Sequence, residues 1–145
     1  MIIEKLNFKD IDQLIELYKD LTPFKNDFEK SQEIYEEMIK DENYLLLIAK
    51  EGDKVIGSVL GICCKSLASG GEPFLVIEDV IVDKSIRGKG VGSRLFESIE
   101  NFAKKKKCTY AILVSSDFRT KGHKFYEKMG FIDGVRGFRK VYTEI

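Results

Sequence analysis

The chain has 145 residues, 43% apolar and 33% charged, and its 24 basic and 24 acidic side chains cancel. That is the length of one domain, spanning residues 1–145, with room for a real core. It excludes a membrane span, because no apolar run approaches the roughly 20 residues that one needs.

In chain order, Ile2–Leu6 reads as a short strand. Lys9–Leu21 sets Ile11, Leu14, Ile15, Tyr18 and Leu21 on one helical face, with Asn7 or Asp10 to cap it and Thr22-Pro23 to end it. Glu29–Lys40 predicts a second helix with Phe28, Tyr35, Met38 and Ile39 inward, closed by Asp41-Glu42-Asn43. Tyr44–Ala49 and Val55–Cys64, joined by Glu51-Gly52-Asp53-Lys54, predict a hairpin. After the Ser/Gly-rich stretch Ser66–Glu72, Phe74–Val82 carries β-branched residues on both faces and predicts a central strand. Val91–Lys106 predicts a helix with Val91, Leu95, Ile99, Phe102 and Ala103 on one side. Thr109–Val114 predicts a strand, and Thr120–Met129 a short helix ended by Gly130. Arg136–Thr143 predicts a last strand, with a short extra one at Phe131–Asp133. The order β-α-α-β-β-β-α-β-α-β describes an α/β fold, a mixed α+β sheet flanked by helices on both faces.

The opening MIIEKLNF lacks a basic region followed by an apolar stretch, so no signal peptide is read and the cytoplasm is the expected location. Three cysteines, Cys63, Cys64 and Cys108, form no CxxC pair, and His123 is the only histidine. A metal site and a disulfide framework are therefore not expected. Charge is divided between the halves. Residues 1–79 hold 17 acidic and 9 basic side chains, a net of −8, and residues 80–145 hold 7 and 15, a net of +8. An acidic half suits a cationic substrate and a basic half an anionic ligand. The basic run Lys104–Lys107 lacks interleaved aromatics, so no nucleic-acid partner is expected.

The most informative stretch is Ile77–Ser93. A strand runs into Arg87-Gly88-Lys89-Gly90-Val91-Gly92, and a helix follows at once. Helix starts expose unpaired N–H groups and a positive dipole end, and alternate glycines permit close backbone approach. These are the parts of a phosphate cradle. The P-loop pattern fails because Gly90 follows Lys89. The dinucleotide fingerprint fails because the spacing is GxGxG, in mid-chain.

Arg87, Gly90 and Gly92 fill the pattern [RQ]xxGx[GA], and Phe125-Tyr126-Glu127-Lys128-Met129-Gly130-Phe131 fills FYxxxGF. With the element order, these motifs make nearly the whole chain resemble the GNAT superfamily of N-acetyltransferases. The resemblance implies the GNAT acyl-CoA N-acyltransferase fold, acetyl-CoA as donor with no metal, and a small-molecule amine as acceptor. It also implies a splay between the strands Phe74–Val82 and Thr109–Val114. There the backbone of Ile81 and Val82 would meet the pantetheine amides, as an extended amide chain pairs with an open strand edge. The backbone from Gly88 through Lys89, Gly90, Val91 and Gly92 to Ser93 would hold the diphosphate, with the side chains of Arg87 and Lys89 adding charge.

Acetyl transfer to an amine needs a deprotonated nucleophile, a polarised carbonyl and a proton for the leaving thiolate. Tyr126 matches the tyrosine that commonly faces the cofactor sulfur in this family and is the candidate acid. Glu78, a carboxylate inside an apolar strand, is the candidate base. Its neighbour Asp79 is expected on the opposite face. Relatives often read NxxAxxFY upstream of the tyrosine. Here Arg119 and Gly122 stand in place of Asn and Ala, so Arg119 is expected to reach a cofactor carbonyl or phosphate. Lys121 and Lys124 are candidates for the 3′-phosphate. His123 is expected at the surface or on the cofactor rim. A small cationic amine is the expected acceptor. A protein or peptide amine, a longer acyl group, and a non-catalytic acyl-CoA-binding sensor or interaction module stay open. A homodimer is compatible, with Arg136–Ile145 available to pair across an interface.

Overall fold

The computed structural model describes residues 1–144. Ile145, the last position of the expected closing segment, lies outside the described residues. The chain divides into two compact units, residues 1–112 and residues 113 onward.

The first unit is built on a five-stranded mixed sheet. Strands β1 (Ile2–Lys5), β2 (Tyr44–Glu51), β3 (Lys54–Cys64), β4 (Phe74–Val82) and β5 (Ala111–Ile112) lie in that order. Each of β1 to β4 runs antiparallel to its neighbour, and β5 runs parallel to β4. β4 is an interior strand, as its two apolar faces suggested, paired with β3 on one side and β5 on the other. Both faces of β4 can be apolar because helices cover each side of the sheet.

Helices α1 (Ile11–Tyr18) and α2 (Phe28–Met38) cover one face. Ile11, Leu14 and Leu17 of α1 and Tyr35 of α2 join Leu46, Ile48, Leu60 and Ile81 of the sheet in one buried cluster. The opposite face receives α3 (Val91–Lys105), whose Leu95, Phe96 and Ile99 are fully enclosed. β3 alternates between the two faces, with Ser58 and Leu60 toward α1 and α2, and Gly57 and Gly61 toward α3. A Cβ on Gly57 would lie 3.0 Å from Val91 Cγ1, and one on Gly61 only 2.5 Å from Ile99 Cδ1. Two glycines four residues apart, with Val59 between them on the same face, thus leave two bare positions into which α3 settles.

Several local expectations change. Neither Asn7 nor Asp10 caps α1 through its side chain. Asp10 is buried instead, and its Oδ2 accepts from Lys50 Nζ at 2.9 Å. A buried charge demands a partner more strongly than a helix end that water can satisfy. α2 starts one residue earlier than expected, because the Asp27 carboxylate accepts from the Lys30 N–H at 2.9 Å. Phe28 and Ile39, expected inward, are 44% and 54% exposed.

The second unit holds α4 (Thr120–Lys128), ended by Gly130 at φ 94°. The strand expected at residues 136–143 and the short one at residues 131–133 do not form, and β5 is two residues long rather than six. A Cβ on Gly137 would lie 3.3 Å from Val114 Cγ2, so the closing segment passes beside Val114 without building a ladder. Gly134 and Gly137 weaken a strand from within, and Arg136, Arg139 and Lys140 bring like charges to one short run.

This close approach is testable. Gly61→Ala drives a methyl into Ile99 and is expected to cost about 1–3 kcal/mol of stability, measured by urea unfolding. Gly134→Ala is the control for a surface glycine, because nothing lies within 4 Å of the methyl it would carry and its backbone is not left-handed.

Candidate active site

The connection between β4 and α3 forms first one turn of 3-10 helix, Lys84–Ile86, capped by Asp83. Asp83 Oδ1 accepts from the Ser85 N–H at 2.9 Å and from its hydroxyl at 2.8 Å. These bonds hold the Asp83 carboxyl below the usual carboxylate range. Gly88 and Gly90 then take φ of 80° and 85°, the left-handed region that glycine enters without penalty. Gly90 occupies the N-cap position of α3, so the next N–H groups are the free ones of a helix start. A Cβ at Gly88 or Gly90 would meet nothing within 4 Å. The cradle is open, and its residues fit a diphosphate. Arg87 turns back, donating from Nε to the Val82 carbonyl at 3.0 Å. It ties the loop to the end of β4, a role the sequence reading did not give it. Lys89 is exposed, Val91 is buried against β3, and Gly92 and Ser93 are half-buried in the first turn of α3.

β4 pairs with β5 only at Leu75↔Ala111 and Val76↔Ile112. From Ile77 to Val82 its β5-side edge has no strand neighbour among the described residues. That part of the edge includes the backbone of Ile81 and Val82, where the implied splay was expected. Ile81's side chain is buried in the core cluster.

β4 also carries a bulge. Its register with β3 passes from Leu60↔Glu78 to Ser58↔Ile81, so Asp79 and Val80 together oppose Val59. Asp79 has φ 53°, a left-handed conformation rare for a non-glycine residue. The extra residue resets the alternation. Glu78, opposite Leu60, lies on the face shared with α1 and α2, and Asp79 lines a cavity on that same face. The expectation that the two carboxylates point to opposite faces is thus corrected. Alternation assumes an unbroken ladder, and no turn residue in IEDVIV marked the break.

The cavity holds about 390 Å³. Apolar side chains of α1, α2 and the sheet form most of its wall, with Tyr18 and Asp79 among them. Desolvation raises the Asp79 carboxyl above its ordinary range. Burial, reinforced by the Asp79 charge, pushes the Tyr18 phenol far above its ordinary value, against a hydrogen bond with Ser58. Tyr18 therefore stays protonated. Neither it nor Asp79 was read from the sequence as a site residue, since Tyr18 looked like one more member of a helical stripe.

In the second unit, Tyr126 is half-buried on α4 between Phe125 and Phe131, with ring centroids at 5.5 and 6.2 Å. Burial raises its phenol, and Arg119 pulls in the opposite direction. Arg119 precedes α4 and lies over the Phe118 ring at 5.5 Å. Gly122 faces both Arg119 and Tyr126, with a Cβ there 3.8 Å from each. Lys121 and Lys124 are exposed. The His123 Nε2 lies 2.9 Å from the Ser116 carbonyl, so the ring pins the turn before α4. Among the described residues no cluster of three or more His, Cys, Asp or Glu side chains is placed to hold a metal. No helix of the described residues is long and apolar enough to cross a membrane.

Similarity to known proteins bears on the same elements. Residues 11–131 match the acetyltransferase (GNAT) family. A glucosamine 6-phosphate N-acetyltransferase of Trypanosoma brucei brucei is 37% identical over 78 residues, 54% of this chain and 51% of that protein. The chain spans about half the length of the curated relatives it matches. The crystal structure of glucosamine-6-phosphate N-acetyltransferase from Arabidopsis thaliana superposes with a TM-score of 0.90 at 25% identity, covering 98% of each chain. That of a Trypanosoma brucei acetyltransferase superposes with a TM-score of 0.84 at 26% identity, covering 97% of this chain and 99% of that one. With the family's motif region matched from α1 through Phe131, the chain belongs to the acetyltransferase (GNAT) family.

Proposed function

We propose that this chain moves an acetyl group from acetyl-CoA to a primary amine of a small molecule, by direct attack in a ternary complex. The observation that carries the reading is one strand. β4 presents an edge that β5 leaves after Val76, one carboxylate, Asp79, in the wall of a cavity with Glu78 beside it in sequence, and an open glycine cradle at its end. Those are the needs of an extended thioester arm, an amine and a diphosphate, in a single stretch of chain.

In this reading the N–H groups from Gly88 to Ser93 hold the diphosphate, and the backbone of Ile81 and Val82 aligns the arm. Arg119, Lys121 and Lys124 serve the nucleotide phosphates. The amine nitrogen forms a bond to the thioester carbon as the carbon–sulfur bond breaks. The surplus amine proton passes to Glu78, directly or through water. Tyr126 gives its proton to the departing thiolate, a task that suits a phenol kept protonated by burial. The three cysteines are not needed as nucleophiles. Burial raises the Cys64 thiol and pushes Cys108 up to about 11, and low-lying thiolates are what acyl-enzymes require.

Tyr126→Phe is expected to lower kcat by about 10²–10⁴ in a thiol-release assay, with little change in melting temperature. Wild-type turnover in that variant would remove Tyr126 from the reaction. Gly90→Ala forces a side chain into a left-handed cap and places a methyl over the cradle. It is expected to raise KM for acetyl-CoA about tenfold, while KM for the amine holds.

Asp79 gives a pH test. Its carboxyl is raised in the folded state, so the ionised form costs stability above that raised value, and the cost vanishes below the ordinary carboxylate range. Asp79→Asn keeps a residue tolerant of the left-handed backbone. Because the Asp79 residue is exposed, water screens much of the cost, and the variant is expected to raise the thermal midpoint by at most about 1 °C at neutral pH and to give no gain at strongly acidic pH, read by calorimetry.

A further inference from the structure

The cavity facing α1 and α2 says more about the acceptor than the charge of the chain does. Four charged side chains line it: Lys25, Asp27, Lys30 and Asp79. Asp27 is committed to capping α2 through the Lys30 N–H. Lys25 and Lys30 have no salt-bridge partner among the described residues, and neither has Asp79. The two cations come from the α1–α2 connection and the first turn of α2, the carboxylate from the sheet. Most of the remaining wall is aliphatic, including Ile11, Ile15, Leu46 and Leu60. The Tyr35 hydroxyl is already spent, donating to the Leu6 carbonyl at 2.6 Å.

This lining disfavours two kinds of acceptor. A polycation would bring its second charge to a cavity that holds two unpaired lysines. A hydroxyl-rich sugar would find only Tyr18, Asn26 and Ser31 as further uncharged polar groups in the wall, and would bury its remaining hydroxyls against aliphatic carbon, which costs free energy wherever no partner is offered. We propose that the acceptor is a primary amine joined through an apolar body to an anionic group, a carboxylate or a phosphate. Its ammonium would sit at Asp79, its body on the aliphatic wall and its anion at Lys25 and Lys30. Charge-assisted bonds at both ends give orientation as well as affinity. The assignment rests on the acetyl-transfer reading for what happens to the amine, but not for what the cavity binds.

The test pairs calorimetric binding with initial rates of acetylation on the full chain. The probes are 6-aminohexanoate, 4-aminobutyl phosphate, hexylamine, spermidine and glucosamine 6-phosphate. One of the two anionic alkylamines is expected to bind at least about tenfold more tightly than hexylamine or spermidine, and the better of the two identifies the anion. The double variant Lys25→Ala/Lys30→Ala is expected to erase that preference through KM, with hexylamine binding unchanged. Tightest binding of spermidine or glucosamine 6-phosphate overturns the proposal. So does an equal loss for hexylamine and the anionic amines in the double variant, which would mark a structural role. Acetylation without anion preference leaves acetyl transfer standing and sinks the acceptor assignment. Lysine-dependent binding without acetylation of any probe does the reverse.

Discussion

The position of α3 is the constraint on which the candidate site depends. Helix and sheet usually meet across a layer of side chains on each side. Here Gly57 and Gly61 open that layer at two positions, and Val91, Leu95 and Ile99 descend into the space. The contact fixes the height and the axial position of the helix together, because two separate glycine positions must each find their partner. The start of α3 is thereby fixed beside the end of β4, to which Arg87 ties the loop. A cradle of backbone N–H groups discriminates only if it does not move. Its rigidity comes from a packing contact made wholly within the core.

β4 turns that fixed position into chemistry through two departures from regular pairing. It leaves β5 after Val76, which frees one edge, and it bulges at Asp79, which brings two consecutive carboxylates toward one face. Each departure has a cost. Unpaired backbone groups need another partner, and a left-handed aspartate is strained. Neither cost serves the stability of the sheet. Departures of this kind gather where a ligand is to be met, and both fall within nine residues of one strand.

The elements that the sequence foretold are those whose signal is local. The stripe of α1, the turn at Gly52, the glycine loop and the Gly130 stop each follow from a few adjacent side chains. Features that depend on a distant partner were not legible. Asp10 resembles a helix cap until Lys50, forty residues on, is seen buried against it. Phe28 and Ile39 look like core residues, yet of α2 only Tyr35 is buried. The closing segment has the composition of a strand, yet Gly137 passes Val114 without a ladder. The bulge at Asp79 belongs to this group as well, for it exists only as a mismatch between β3 and β4. Tyr18 and Asp79 were missed for that reason, while the glycine motif was found.

Charge shows the same division between what a sum conveys and what a place decides. The first 79 residues carry 17 carboxylates, and that excess points to a cationic acceptor. Of those 17, only Asp27 and Asp79 line the cavity, and Asp27 is held by its own helix. Asp10 is buried against Lys50, and most of the rest are exposed, where salt screens them beyond about 10 Å. Such a field can draw an amine toward the protein, since steering depends on net charge. Selection at the wall depends instead on groups that a ligand touches after losing its water. Asp27 is spent on its own helix, so the charged groups left to a ligand are Lys25 and Lys30 from the helical side and Asp79 from the sheet, the complement of a molecule that carries both signs.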